Sequence, residues 1–213
     1  MENGYYHIYN RGVDKRTIFE DEKDHKVFLN LLKTYLSPPN STDHPLSSII
    51  KRPRPLPCFY GKIQLLAFCL MPNHFHLLIK QTNKMDIADF VRSLCTTYSM
   101  YFNKRNKRSG TLFQSKYKAV LVETDSYLVH LSRYIHLNPL VLTGSDPVTE
   151  IYSSYVYYLG TKNAIWVKPD EILGYFKTAQ STSLNDCLSY QSFVEDYKKS
   201  SAEILGDLVI EKD

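Results

Sequence analysis

At 213 residues, with 43% hydrophobic side chains, the chain is long enough for one domain with an extension, or two small domains, around a real core. No run approaches the ~18 consecutive apolar residues of a membrane span, and the polar start Met1-Glu2-Asn3-Gly4 is unlike a secretory signal, so a cytoplasmic protein is expected. The formal charge of +4 is uneven: residues 170–213 hold nine acidic and four basic side chains, which leaves +9 on residues 1–169, the part suited to a polyanion. Cys58, Cys69, Cys95 and Cys187 form no Cys-x-x-Cys pair, so they read as packing thiols rather than a zinc ribbon or disulfide framework.

Tyr5 to Tyr9 alternates aromatic and branched residues as a first strand does, with Asn10-Arg11-Gly12 as its turn. From Asp21 to Leu36, Val27, Phe28, Leu31, Leu32 and Tyr35 recur at helical spacing. Between Pro38 and Pro57 lie six of the ten prolines, which marks an irregular loop; it carries the basic cluster Lys51-Arg52-Pro53-Arg54, either a solvated linker or a phosphate-touching arm. Phe59 to Leu70 is a β-type run, and Pro72-Asn73 supplies a tight reversal into a strand from His74 to Lys80. Ile87, Phe90, Val91, Leu94, Tyr98 and Phe102 then mark a second amphipathic helix from about Asp86.

The end of that helix is basic. Lys104, Arg105, Lys107, Arg108, Lys116 and Lys118 place six positive charges in fifteen residues, with Phe113 and Tyr117 among them. Cations for phosphates and rings for bases are what a nucleic-acid groove uses, although a solvated helix end also looks like this. Lys118 to Val122 is a further strand, and Thr124-Asp125-Ser126 offers an N-cap for a third helix, with Asn138-Pro139 at its end. Beyond Val141 the chain turns tyrosine-rich, with short helices at Pro169–Phe176 and Tyr190–Tyr197 and no chemical constellation.

The order strand, helix, two strands, helix, strand, helix predicts an α+β, ferredoxin-like sandwich: a central antiparallel sheet with helices on one face, plus a C-terminal, mainly helical extension. On the strand from His74, alternate side chains leave the same face, so His74 and His76 stand together and offer two imidazoles to one ion. A His-x-His pair is also met as an ordinary half-buried polar face. On the third helix His130, Tyr134 and Asn138 are spaced i, i+4, i+8 and share a face.

Met71-Pro-Asn-His-Phe-His-Leu-Leu-Ile79 together with Ser132-Arg-Tyr-Ile-His-Leu-Asn-Pro139 closely resembles the single-tyrosine HUH transposases, in particular the REP-associated tyrosine transposases. Tyr6-His-Ile-Tyr-Asn-Arg-Gly12 and Ser109-Gly-Thr-Leu-Phe-Gln-Ser-Lys-Tyr-Lys118 support the likeness, which covers about residues 4 to 140. The resemblance implies that His74, His76 and Asn138 bind a divalent metal, Mg2+ or Mn2+, and that Tyr134 is the catalytic nucleophile. It implies a 5′-phosphotyrosine intermediate on single-stranded DNA, often beside a hairpin, with Arg11, Lys104, Arg105, Lys107, Arg108, Lys116 and Lys118 as candidate DNA-binding residues. A completed site within one chain and one shared across a homodimer both stay open. His130 is assigned a supporting or solvent-facing role and His136 a structural one.

The chemistry is coherent in its own terms. A phenol with a pKa near 10 is a weak nucleophile at neutral pH, so the phosphorus it attacks must be made receptive, which a metal does by polarising the phosphate. The main rival is a catalytically silent or domesticated DNA-binding protein of the same fold. A water-using nuclease would need carboxylate ligands, and none is spaced to join the histidine pair. The chain departs from its relatives where Leu140-Val-Leu-Thr-Gly144 replaces a basic turn. The expected division is a catalytic domain over 1–145 and an extension over 146–213.

Overall fold

The computed structural model describes residues 1–39, 56–143, 152–177 and 189–196, and for 140–143 the backbone alone. The strands are β1 (Tyr5–Arg11), β2 (Ile63–Met71), β3 (His74–Gln81) and β4 (Lys118–Val122). The helices are α1 (Glu22–Leu36), α2 (Asp86–Arg105), α3 (Asp125–Thr143) and the short α4 (Tyr155–Tyr158), α5 (Asp170–Lys177) and α6 (Tyr190–Glu195). The strands form one antiparallel sheet in the order β2-β3-β1-β4, the ferredoxin-like arrangement expected from the element order. The basic cluster Lys51–Arg54 and Cys187 lie outside the described residues.

Strand alternation divides the core in two. Phe75, Leu77 and Ile79 of β3 pack with Ile8 against Phe28, Leu31 and Tyr35 of α1 and Phe90, Leu94 and Tyr98 of α2. Leu78, Cys69 and Met71 point the other way, toward Leu131, Tyr134 and Ile135 of α3 and Tyr155, Tyr190 and Phe193 of the C-terminal helices. The two helices of the ferredoxin-like unit thus occupy one face as expected, whereas α3 and the extension cover the opposite one. The reason lies in β3: its even positions His76 and Leu78 are buried like its odd ones and need a cover of their own.

Two boundaries differ from expectation in ways that matter. β1 does not turn at Asn10 but runs on to Arg11, which pairs with His74, because β3 extends alongside it to that point. The close approach of the chain comes at Gly12, where a Cβ would lie 2.3 Å from the Arg16 carbonyl oxygen. α3 does not stop at Asn138 but continues through Pro139 to Thr143. A proline removes only its own N–H from the helical ladder and crowds the carbonyl four residues back, so it loosens a helix without having to end it.

β2 is an edge strand with a register shift between Leu65 and Ala67. The bulge inverts its in-out parity: Ile63 and Leu65 face α1 and α2, but beyond it so do Phe68 and Leu70, which frees Cys69 and Met71 for the α3 side. The C-terminal segment stitches this edge. The Leu70 N–H donates to the Tyr152 carbonyl at 2.8 Å, Ser154 N–H to Phe68 O at 2.9 Å and Lys168 N–H to Leu65 O at 2.8 Å. His136 fixes the packing from α3, its ring nitrogens each 2.7 Å from Tyr190 Oη and Ser154 Oγ in a fully buried cluster, which bears out its structural reading.

Candidate active site

His76 lies on a central strand between Tyr9 of β1 and Cys69 of β2, and is completely buried. The ring of Tyr134 descends on it from α3, edge to face, with centroids 5.6 Å apart. His74, one step along the same face, stands 5.0 Å from the His76 ring and is half-buried, so it marks the end at which the site opens. His74, His76 and Tyr134 are therefore brought together within one chain. Asn138 follows one turn after Tyr134 on α3 and is also buried, at 7% exposure.

The protonation of the histidines suits ligation. Burial, reinforced by the nearby Arg11 guanidinium, pushes the His74 imidazole down to about 4. Burial, with His7 and His74 adding to it, holds His76 well below the usual histidine range. Both rings are thus neutral near pH 7, the state in which an imidazole has a lone pair to give. For His74 the free nitrogen is defined. Its Nδ1 lies 2.6 Å from Asn73 Oδ1, an acceptor, so Nδ1 carries the proton and Nε2 the lone pair.

His76 also has its Nδ1 engaged, by a residue of another strand. Its Nδ1 is 2.8 Å from His7 Nε2 in a buried contact between stacked rings whose centroids are 5.0 Å apart. When His76 donates in that bond, its Nε2 is left as an acceptor, and among the described residues this buried nitrogen has no hydrogen-bond partner. Asn138 Nδ2 is likewise buried without one. Half a turn of that carboxamide puts its oxygen in the same place. Among the described residues no three His, Cys, Asp or Glu side chains group to hold an ion, and two neutral imidazoles with a carboxamide oxygen are the donors that could hold one here. The residues present fit that donor set.

Sequence reasoning did not find Asn73 or His7 as parts of this site. Asn73 was read as turn chemistry and His7 as one more residue of a strand, and only the register that sets β1 against β3 reveals what His7 touches. His130 is not at the site. Its Nδ1 is 2.6 Å from Arg133 Nη2, and its ring packs against Phe193 of α6.

The candidate DNA-binding residues separate into groups. Arg11 and Lys118 lie beside the site and line a common cavity with Lys15. Lys104, Lys107 and Lys116 are exposed on the surface. Arg105 is engaged by the carboxylates of Asp21 and Asp24 on α1. Arg108 donates to Asn103 Oδ1 at 2.5 Å and to the Thr111 carbonyl at 3.3 Å. Phe113, expected among the base-stacking rings, is a core residue set perpendicular to Phe75 at 5.9 Å.

A sheet-borne histidine pair facing a helix-borne tyrosine is the arrangement that the motifs implied. Residues 58–138 match the family model for IS200-like transposases. The matched stretch contains His74, His76, Tyr134 and Asn138. The fold is similar to that of a REP-associated tyrosine transposase solved bound to a REP hairpin, with a TM-score of 0.52 and 11% identity over 79% of this chain and 87% of that one. A candidate transposase from Deinococcus radiodurans R1 gives a TM-score of 0.38 and 18% identity over 62% of this chain and 87% of its own, too low to bear on the fold. Comparison with curated proteins returns no match. Among the described residues no helix is long and apolar enough to cross a membrane.

Proposed function

We propose that this transposase-like chain is a single-stranded DNA endonuclease and strand transferase that works through a 5′-phosphotyrosine. The observation that carries the reading is the Tyr134 ring 5.6 Å from His76, a nucleophile-bearing helix laid over a pair of neutral histidines. A divalent ion, Mg2+ or Mn2+, held by His74, His76 and Asn138 would polarise the scissile phosphate and neutralise its developing charge. The phenolic O–H of Tyr134 gives up its proton as its oxygen attacks phosphorus, a P–O bond to Tyr134 forms, the P–O3′ bond breaks, and the departing 3′-oxyanion takes up a proton to become a hydroxyl. The covalent phosphotyrosine keeps the bond energy, so a 3′-hydroxyl of another strand reverses the step and joins new DNA without a nucleotide cofactor.

Tyr134 and His76 are 5% and 0% exposed, so the reading requires the site to open before a phosphate reaches them. Single-stranded DNA with a hairpin is the proposed substrate, in line with the hairpin held by the REP-associated relative. Division into a catalytic domain over 1–145 and an extension over 146–213 belongs to the same proposal.

The test is a denaturation-resistant protein–DNA adduct formed from labelled single-stranded hairpin DNA and Mn2+. Wild type is expected to form it and Tyr134→Phe to form none. An adduct of equal yield in Tyr134→Phe overturns the assignment of the nucleophile.

A further inference from the structure

Beside the histidine site, at its open end, is a cavity of about 170 Å3 between the end of β1, the start of β4 and the loop before β4. Tyr9 is the wall it shares with the candidate active site: its ring is 6.0 Å from that of His76, and it also lines the cavity. Arg11, Lys15 and Lys118 contribute positive charge, and none of the lining residues is acidic. Lys118 Nζ stands 5.8 Å over the Tyr9 ring.

The walls are fixed before any ligand arrives. Asn10 Nδ2 donates to the Ser115 carbonyl at 3.2 Å, and the Gln114 N–H donates to the Arg11 carbonyl at 2.8 Å. The loop is held further by the bridge between Gly12 and Phe113, whose ring is anchored in the core. These bonds use the Gln114 backbone and leave its side chain exposed at the rim. A carboxamide offers a donor and an acceptor side by side, the pattern that matches one base edge. Three cations, an aromatic wall and one amide reader suit a phosphate with its base, whereas a bare anion needs no reader and a neutral ligand no cations.

We propose that this cavity takes one nucleotide of the DNA strand flanking the scissile phosphate, its phosphate held by Arg11, Lys15 and Lys118 and its base read by Gln114. The inference rests on the transferase reading, since it places that nucleotide next to the bond attacked. It makes the protein, and not only DNA secondary structure, a source of cleavage-site choice. It also separates the basic residues by task, with Arg11 and Lys118 local to the chemistry and Lys104 and Lys107 remote from it.

The experiment uses the full chain and a randomised single-stranded DNA pool in EDTA, where binding is read without cleavage. Wild type is expected to enrich one strongly biased position, and Gln114→Ala to lose that bias at least tenfold. The double variant Lys15→Gln/Lys118→Gln, which strips two of the three cations from that one phosphate, is expected to reduce the slope of log affinity against log salt by up to about 0.7, the value for one phosphate contact on a single strand. Arg92→Gln, an exposed residue of α2 paired with Asp89, leaves both readouts unchanged. Identical enrichment in wild type and Gln114→Ala, or an unchanged salt slope in the double lysine variant, overturns the proposal. Loss of the adduct with the bias intact would remove the transferase reading and keep the pocket. An adduct without bias would do the reverse.

Discussion

Replacing His7 by phenylalanine tests whether the site is organised by its neighbours as well as by its ligands. The change keeps ring volume on β1 but removes the partner 2.8 Å from His76 Nδ1, in a place where neither ring is exposed. One buried nitrogen is then left unpaired, at a cost of about 1–3 kcal/mol in stability. The second effect is on function. In the tautomer in which His76 Nδ1 donates to His7, losing that acceptor frees the proton to move to Nε2, the nitrogen proposed as a ligand, and loss of such a supporting bond is expected to lower metal affinity about 10- to 100-fold. Mn2+ titration by calorimetry gives the affinity, urea unfolding gives the stability, and nitrogen NMR of the imidazoles gives the tautomer. His7→Gln, which can still accept the bond, is expected to recover most of the affinity. Wild-type Mn2+ affinity in His7→Phe, with a folded protein, would refute the reasoning.

Asp24 is fully buried and accepts from Tyr101 Oη at 3.0 Å and the Glu20 N–H at 2.9 Å, besides meeting Arg105, so Asp24→Ala leaves two donors without their acceptor and Arg105 with Asp21 as its one remaining carboxylate here. The expected loss is about 3 kcal/mol, near the low end for a broken buried pair because Arg105 is partly exposed, and a loss under about 1 kcal/mol in urea unfolding would count against it. His136, pushed down to about 3 by burial, is neutral when folded and binds a proton near pH 6.5 when unfolded. Its contribution is therefore complete above pH 6.5 and declines as pH falls toward 3, by up to about 1.4 kcal/mol per pH unit. His136→Gln should accordingly lose less stability than wild type between pH 7 and pH 5; an equal loss would show that other groups set the acid sensitivity.

The parts legible in the sequence were those written in short range. His74 and His76 are two apart on a strand and Tyr134 and Asn138 four apart on a helix, so pleat and helical turn place each pair without tertiary knowledge. The antiparallel order followed from element succession. What could not be read was whatever depends on register or on which sheet face a helix takes. His7 meets His76 between two neighbouring strands, 69 residues apart in sequence, and Arg11 joins the site because β1 outlasts its apparent turn. Composition also misled where burial decides: Phe113 and Arg105 lie in a basic run, yet one fills the core and the other clamps α1 to α2.

The stitching of β2 by the C-terminal segment has a consequence for how the chain is made. β2 emerges from synthesis with one backbone edge open, and its partners at Tyr152, Ser154 and Lys168 come about ninety residues later, with Ser154 also receiving the Phe68 N–H at 2.8 Å. Until then the sheet has a free rail on which another nascent chain can dock. The extension thus serves as a late-arriving guard of solubility, and a chain cut after residue 145 is expected to assemble its histidine strand and then pair it with the wrong molecule.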